Sequence, residues 1–103
     1  MKAHKPYYAV IFSNALCAST EGYRDMAGKM EELAKNQPGY LGFETAREET
    51  GISISYWDSL EAIAAWKANV EHEVAQAMGI KEWYQWYKVR ICQVLREYNF
   101  NRE

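Results

Sequence analysis

The chain has 103 residues, of which 49% are hydrophobic and 15% aromatic, and it carries a formal charge of -2. That size fits one domain around one core, and that apolar content excludes intrinsic disorder. The 12 basic and 14 acidic residues form no basic cluster of the kind nucleic acid requires, and no apolar run approaches the roughly 20 residues that cross a bilayer.

Residues 1–6, with Lys2, His4 and Lys5, are expected to be a mobile tail. YYAVIFSNAL, residues 7–16, reads as a strand because β-branched and aromatic residues dominate it. Its two faces, Tyr8/Val10/Phe12 and Tyr7/Ala9/Ile11, are both apolar, so both are expected to be covered. The run is too short for a signal peptide and is broken by Ser13-Asn14, and Cys17 follows Leu16 rather than a small residue. The expectation is a mature cytoplasmic protein. Cys17 and Cys92 are too few for a disulfide scaffold and lack metal spacing, so free thiols are expected.

A helix follows, with Ser19 or Thr20 as its cap and Tyr23, Met26, Ala27, Met30, Leu33 and Ala34 as its apolar stripe. Gln37-Pro38-Gly39 stops it. Residues 40–47 and 52–57 predict a hairpin around Glu49-Thr50-Gly51. Ser53, Ser55 and Trp57 then share one face, and Ile52, Ile54 and Tyr56 the other. Asp58 is the expected cap of a second helix, with Glu61 completing a capping box. Leu60, Ile63, Trp66 and Val70 recur at helical spacing, Val74 and Ala77 extend the row, and Gly79 ends it. The aromatic segment EWYQWY leads into a last strand marked by Val89, Ile91 and Leu95.

The predicted order is β-α-β-β-α-β, without repeat or linker, over one α+β domain spanning residues 1–103. Two helices on one face of an antiparallel four-stranded sheet give the ferredoxin-like arrangement. Its other face is bare and apolar, so a homodimer packed sheet against sheet is expected.

Tyr56-Trp57-Asp58-Ser59, with Glu61, Ile63 and Trp66, resembles the strand-to-helix signature of the antibiotic biosynthesis monooxygenase superfamily. The Gln37-Pro38-Gly39-Tyr40 turn and the opening strand resemble the same families, and the likeness covers nearly the whole chain. The resemblance implies a dimeric α+β barrel with a pocket between helices and sheet. Members include cofactor-independent oxygenases of polyaromatic substrates and haem-degrading oxygenases. By that resemblance Trp66 lines the pocket. The haem-degrading branch also has an asparagine on the first strand, which falls near Phe12 or Ser13 with Asn14 one step away. Its axial histidine falls at Gln76, which departs from the pattern.

His72 has two readings. On a continuous helix it lies roughly 160° from the Ile63/Trp66/Val70 stripe, among Glu71 and Glu73 and away from the sheet. A break near Asn69 would turn it inward. His72-Glu73-Val74-Ala75-Gln76 lacks the second imidazole that a zinc helix needs, so no metal is expected. Trp83, Tyr84, Trp86 and Tyr87 either plug an end of the barrel and meet a partner, or form a lid over a flat ligand. Lys88, Arg90, Cys92, Val94 and Arg96 share one strand face. An inward Arg90 would hold an enolate or carboxylate; an outward one protects a strand edge.

The leading expectation is an oxygenase acting on an electron-rich planar aromatic, without flavin, nicotinamide or metal, since no G-x-G-x-x-G occurs. Trp66, His72 and Asn14 are its candidate catalytic residues, and Phe12, Tyr56, Trp83 and Arg90 its candidate pocket. The alternatives are a haem-binding or haem-degrading protein with His72 as axial ligand, and a dimeric binding protein without chemistry.

Overall fold

Alternating apolar residues build the centre of the sheet. In the computed structural model, which describes residues 6–18, 20–77 and 83–102 apart from the side chains of 71–77, Tyr7–Leu16 forms β1. It is followed by α1 (Tyr23–Lys35), β2 (Tyr40–Arg47), β3 (Gly51–Trp57), α2 (Leu60–Ala77) and β4 (Tyr84–Val94). The strands pair antiparallel in the order β2-β3-β1-β4, which is the ferredoxin-like α+β fold expected from the sequence. No helix among the described residues is long and apolar enough to cross a membrane.

Register assigns the faces, because directly opposed residues point the same way. Tyr8 stands opposite Trp57, Val10 opposite Ser55, Phe12 opposite Ser53 and Asn14 opposite Gly51. These positions face the helices, since Val10 and Trp57 pack there against Ala34 of α1 and Ile63 of α2. Continuing outward, Arg47 of β2 stands opposite Gly51, and Tyr87 of β4 opposite Asn14. The helix-free face carries Ala9, Ile11, Ile54, Tyr56 and Arg90.

The core sits at the Trp57 end. That indole is completely buried, 5.0 Å from the Trp66 ring and edge-on to Tyr40 at 5.8 Å. Its Nε1–H donates to Ser55 Oγ at 2.8 Å, which satisfies the one polar group such a side chain carries inside. Towards β4 the helix side opens: Tyr87, Val89 and Ile91 are 57%, 50% and 53% exposed.

Turns and caps differ from the sequence expectation in three places. The cap of α2 is Ser59, whose Oγ accepts the Ala62 N–H at 3.1 Å. Asp58 is held outside the helix because its own N–H donates to the Gly39 carbonyl at 2.8 Å. The cap of α1 is Gly22, in the left-handed region at φ 84°; Thr20 contributes only its carbonyl, accepting the Tyr23 N–H at 3.0 Å, and Ser19 lies outside the described residues. β4 begins inside the aromatic segment, at Tyr84, and ends before Leu95. The expected stop at Gly79 also lies outside the described residues, as do the side chains of Val74 and Ala77.

Candidate functional site

On the helix side, β1 alternation turns Asn14 into the interior beside Phe12. Asn14 is completely buried. Its Oδ1 accepts a hydrogen bond from Arg47 Nη2, which also donates to the Tyr23 hydroxyl at 3.0 Å. The guanidinium lies over the Tyr23 ring, 5.5 Å from its centroid. The Asn14 Nδ2 and Trp66 Nε1 donors are buried and have no partner among the described residues. Buried donors are nearly always paired, so each orphan needs an explanation.

Rings surround the Asn14 end. Phe12 meets Tyr84 edge-on at 5.5 Å and Tyr87 at 5.6 Å, and Tyr23 meets Tyr84 edge-on at 5.9 Å. Burial pushes the Tyr84 hydroxyl well above the usual phenol range, and Tyr23 adds to the rise while Arg47 opposes it. Around Asn14 the arrangement combines one unpaired N–H donor, a fixed cation and aromatic walls, whereas Trp66 stands beside Trp57 towards the other end of β1. Chemically, Asn14 offers a donor and Arg47 a positive charge, the pair of groups that bond an oxygen atom. No cluster of three or more metal-ligating side chains occurs among the described residues. The open groove beside α1, lined by Gly28, Lys29, Glu32 and Leu33, lies apart from this constellation and contains none of it.

Residues 6–78 match the family model described as antibiotic biosynthesis monooxygenase. The chain belongs to this family. It is also 46% identical over 94 residues to the uncharacterised protein YqjZ of Bacillus subtilis (strain 168), covering 89% of this chain and 82% of that one. Among solved structures, a point mutant of SnoaB, a cofactor-independent oxygenase from Streptomyces nogalater, superposes with a TM-score of 0.74 at 10% identity, covering 91% of this chain and 97% of that chain. A point mutant of MhuD, solved with two manganese protoporphyrin IX molecules per active site, gives 0.65 at 21% identity, covering 90% and 99%. These two likenesses establish a shared fold.

Within this antibiotic biosynthesis monooxygenase fold, Trp66, Asn14, Phe12 and Trp83 all lie on the helix side of the sheet. Asn14 sits there because it is two and four residues from Phe12 and Val10, at the strand period of two. Trp83 is buried, and its Nε1–H donates to the Glu21 carbonyl at 2.9 Å. It thereby fixes the entry to α1 and touches Tyr23 edge-on at 5.8 Å. Tyr56 and Arg90, expected in the same pocket, lie instead on the helix-free face, opposite Ala9 and Ile11. The pleat decides this, since each is one residue out of phase with the helix-facing set. Tyr56 donates to Glu44 Oε2 at 2.9 Å; burial and that carboxylate raise its pKa.

α2 is unbroken through Asn69, whose Nδ2 donates to Gln37 Oε1 at 3.0 Å. The break that would have turned His72 inward is absent; the His72 and Gln76 side chains lie outside the described residues. Tyr84 was read from the sequence as part of either a plug or a lid, whereas Arg47 and Tyr23 were not among the sequence candidates. Their one signal was Gly51, a residue without a side chain directly opposite a buried asparagine.

Proposed function

We propose that this protein is a small monooxygenase that takes a planar aromatic substrate between its helices and sheet and works without flavin or metal. The observation that carries the reading is the pair of buried, unpartnered donors, Asn14 Nδ2 and Trp66 Nε1, on one side of the sheet. Such donors are tolerated where a ligand completes them. The family supports oxygen chemistry, and the cofactor-independent SnoaB shares the fold.

In this reading the substrate itself supplies the electrons. Oxidation of a ring methylene to a carbonyl consumes one O2, places one oxygen atom in the product and releases the other as water. Loss of a proton from the methylene gives an enolate that reduces O2. The protein's part is to exclude water, hold the ring plane and bond the developing oxyanion. Trp66 lines the cavity beside Trp57, Phe12 flanks the ring, and Asn14 is the orienting donor. Trp83 closes the end by fixing α1. The sequence offers His72 as proton acceptor, but the continuous α2 removes the break that this reading required.

The second reading is haem binding, favoured by the open apolar stripe of Tyr87, Val89 and Ile91 and by the fold shared with porphyrin-bound MhuD. Its iron ligand would be His72, whose side chain lies outside the described residues, so no step is assigned to iron. Tyr56 and Arg90 belong in either case to a homodimer interface on the helix-free face. The free Cys17 and Cys92 support a reducing, cytoplasmic setting.

Oxygen uptake against a panel of phenolic polycycles tests the proposal. Uptake with at least one of them that falls on the order of a hundredfold in Trp66→Phe or Asn14→Ala, as for loss of an oxyanion donor, is expected. Absence of uptake with every compound, alongside a saturable Soret band on adding haemin, would replace it by the haem reading.

A further inference from the structure

We propose that Arg47 is a positioning residue that locks the Asn14 carboxamide and, with it, builds a subsite for an anionic oxygen of an aromatic ligand, a phenolate, enolate or carboxylate. This rests on the reading of the helix side as a ligand pocket.

Arg47 and Asn14 stand on strands that do not touch, β2 and β1, with Gly51 of β3 between them. Gly51 is buried, and a Cβ added there would collide with the Arg47 guanidinium at Cζ and at both terminal nitrogens. The guanidinium therefore occupies space that any other residue at position 51 would fill. Through that gap it crosses a whole strand to reach Asn14 Oδ1.

The contact also decides which way the amide faces. A guanidinium donates and never accepts, so the carboxamide oxygen must turn to Arg47 and the amino group away from it. Asn14 is completely buried, and that amino group meets no acceptor among the described residues. Arg47 Nη2 bonds the Tyr23 hydroxyl at 3.0 Å as well, so the cation is held from two sides. The result is a buried N–H pair without an acceptor among the described residues, polarised by a positive charge behind the carbonyl. Such a preorganised donor favours an oxygen carrying negative charge over a neutral ring edge. Tyr84, a neutral phenol edge-on to Phe12, adds no opposing charge on the ring side.

The test is a binding comparison between 2-naphthoate and naphthalene, read by quenching of tryptophan fluorescence. The wild-type protein is expected to bind naphthoate about tenfold or more tightly than naphthalene, the range of one charge-assisted bond. Arg47→Met should abolish that preference, weakening naphthoate binding about tenfold more than naphthalene binding. Gly51→Ala should do the same with both polar partners intact, by displacing the guanidinium. Arg47→Lys should restore part of it. Equal affinity for both probes in the wild type, binding of neither, or a parallel loss of both in Arg47→Met would overturn the proposal. Oxygen is not needed for any of these readings. A preference for naphthoate without oxygen uptake would therefore sink the oxygenase reading alone.

Discussion

Two tryptophans in ring contact, Trp57 and Trp66 at 5.0 Å, have opposite polar fates. Trp57 spends its N–H on Ser55 inside the core, whereas Trp66 keeps its N–H buried and without a partner among the described residues. Trp57 is thus a packing residue with its polar group satisfied, and in the proposed reading the Trp66 N–H is completed by a ligand. Trp57→Ala should cost about 3–5 kcal/mol of stability, the range for large aromatic truncations in cores. Trp66→Phe, a milder change that also deletes an orphan donor, should cost no more than about 1.5 kcal/mol. Urea denaturation of the two variants checks the contrast, and equal losses would contradict it. Tyr84 and Tyr56 set the alkaline behaviour. Both phenols are raised above the ordinary value of 10.0, by burial first and then by Tyr23 or Glu44 respectively. Near pH 10 the unfolded chain releases these protons and the folded chain does not. The unfolded state then binds fewer protons, so stability is whole below about pH 10 and falls as pH rises through the folded values. Thermal melts from about pH 7 to 11 should show that fall, and Tyr84→Phe should flatten it.

At the scale of elements, the turn into β2 is held by Gly39. It sits at φ 88°, and a Cβ there would lie 2.6 Å from Ala62 Cβ at the start of α2. Gly39→Ala should therefore destabilise by more than the roughly 1–2 kcal/mol of a left-handed backbone alone, measurable by the same denaturation. Several elements were legible because their signals are local. Strand alternation bounded the first three strands to within a residue, and Gln37-Pro38-Gly39 marked the end of α1. Asp58 misled because its N–H is committed to Gly39, well back along the chain, which leaves Ser59 to cap α2. Trp66 and Asn14 could be nominated from pattern and resemblance. The bond joining Asn14 to Arg47 could not, because it spans 33 positions and depends on the missing side chain of Gly51. Arg90 and Tyr56 show the converse: their chemistry suited a pocket, but their phase on the strand put them on the opposite face.

The whole molecule leaves much apolar surface open. Its radius of gyration is 15.1 Å, against about 13 Å for a compact chain near this length. Ile52 on the helix-free face, both faces of β4 and the C-terminal Leu95, Tyr98 and Phe100 are exposed. Surfaces of this kind call for cover, and a second copy meeting sheet to sheet, as proposed, would supply it. Light scattering should accordingly give twice the 12.0 kDa chain mass, and a charge placed at Ile54 should halve it. A monomeric wild type would contradict the sheet-to-sheet assembly.

If the helix side of this sheet joins oxygen to an aromatic ring, the most direct measurement is turnover of a phenolic polycycle under isotopically labelled O2. The product is analysed by mass, with Trp66→Phe run beside the wild type. One labelled oxygen atom in the product, formed by the wild type and lost in the variant, is the expected result. An unlabelled product, or equal labelling by both proteins, would contradict it.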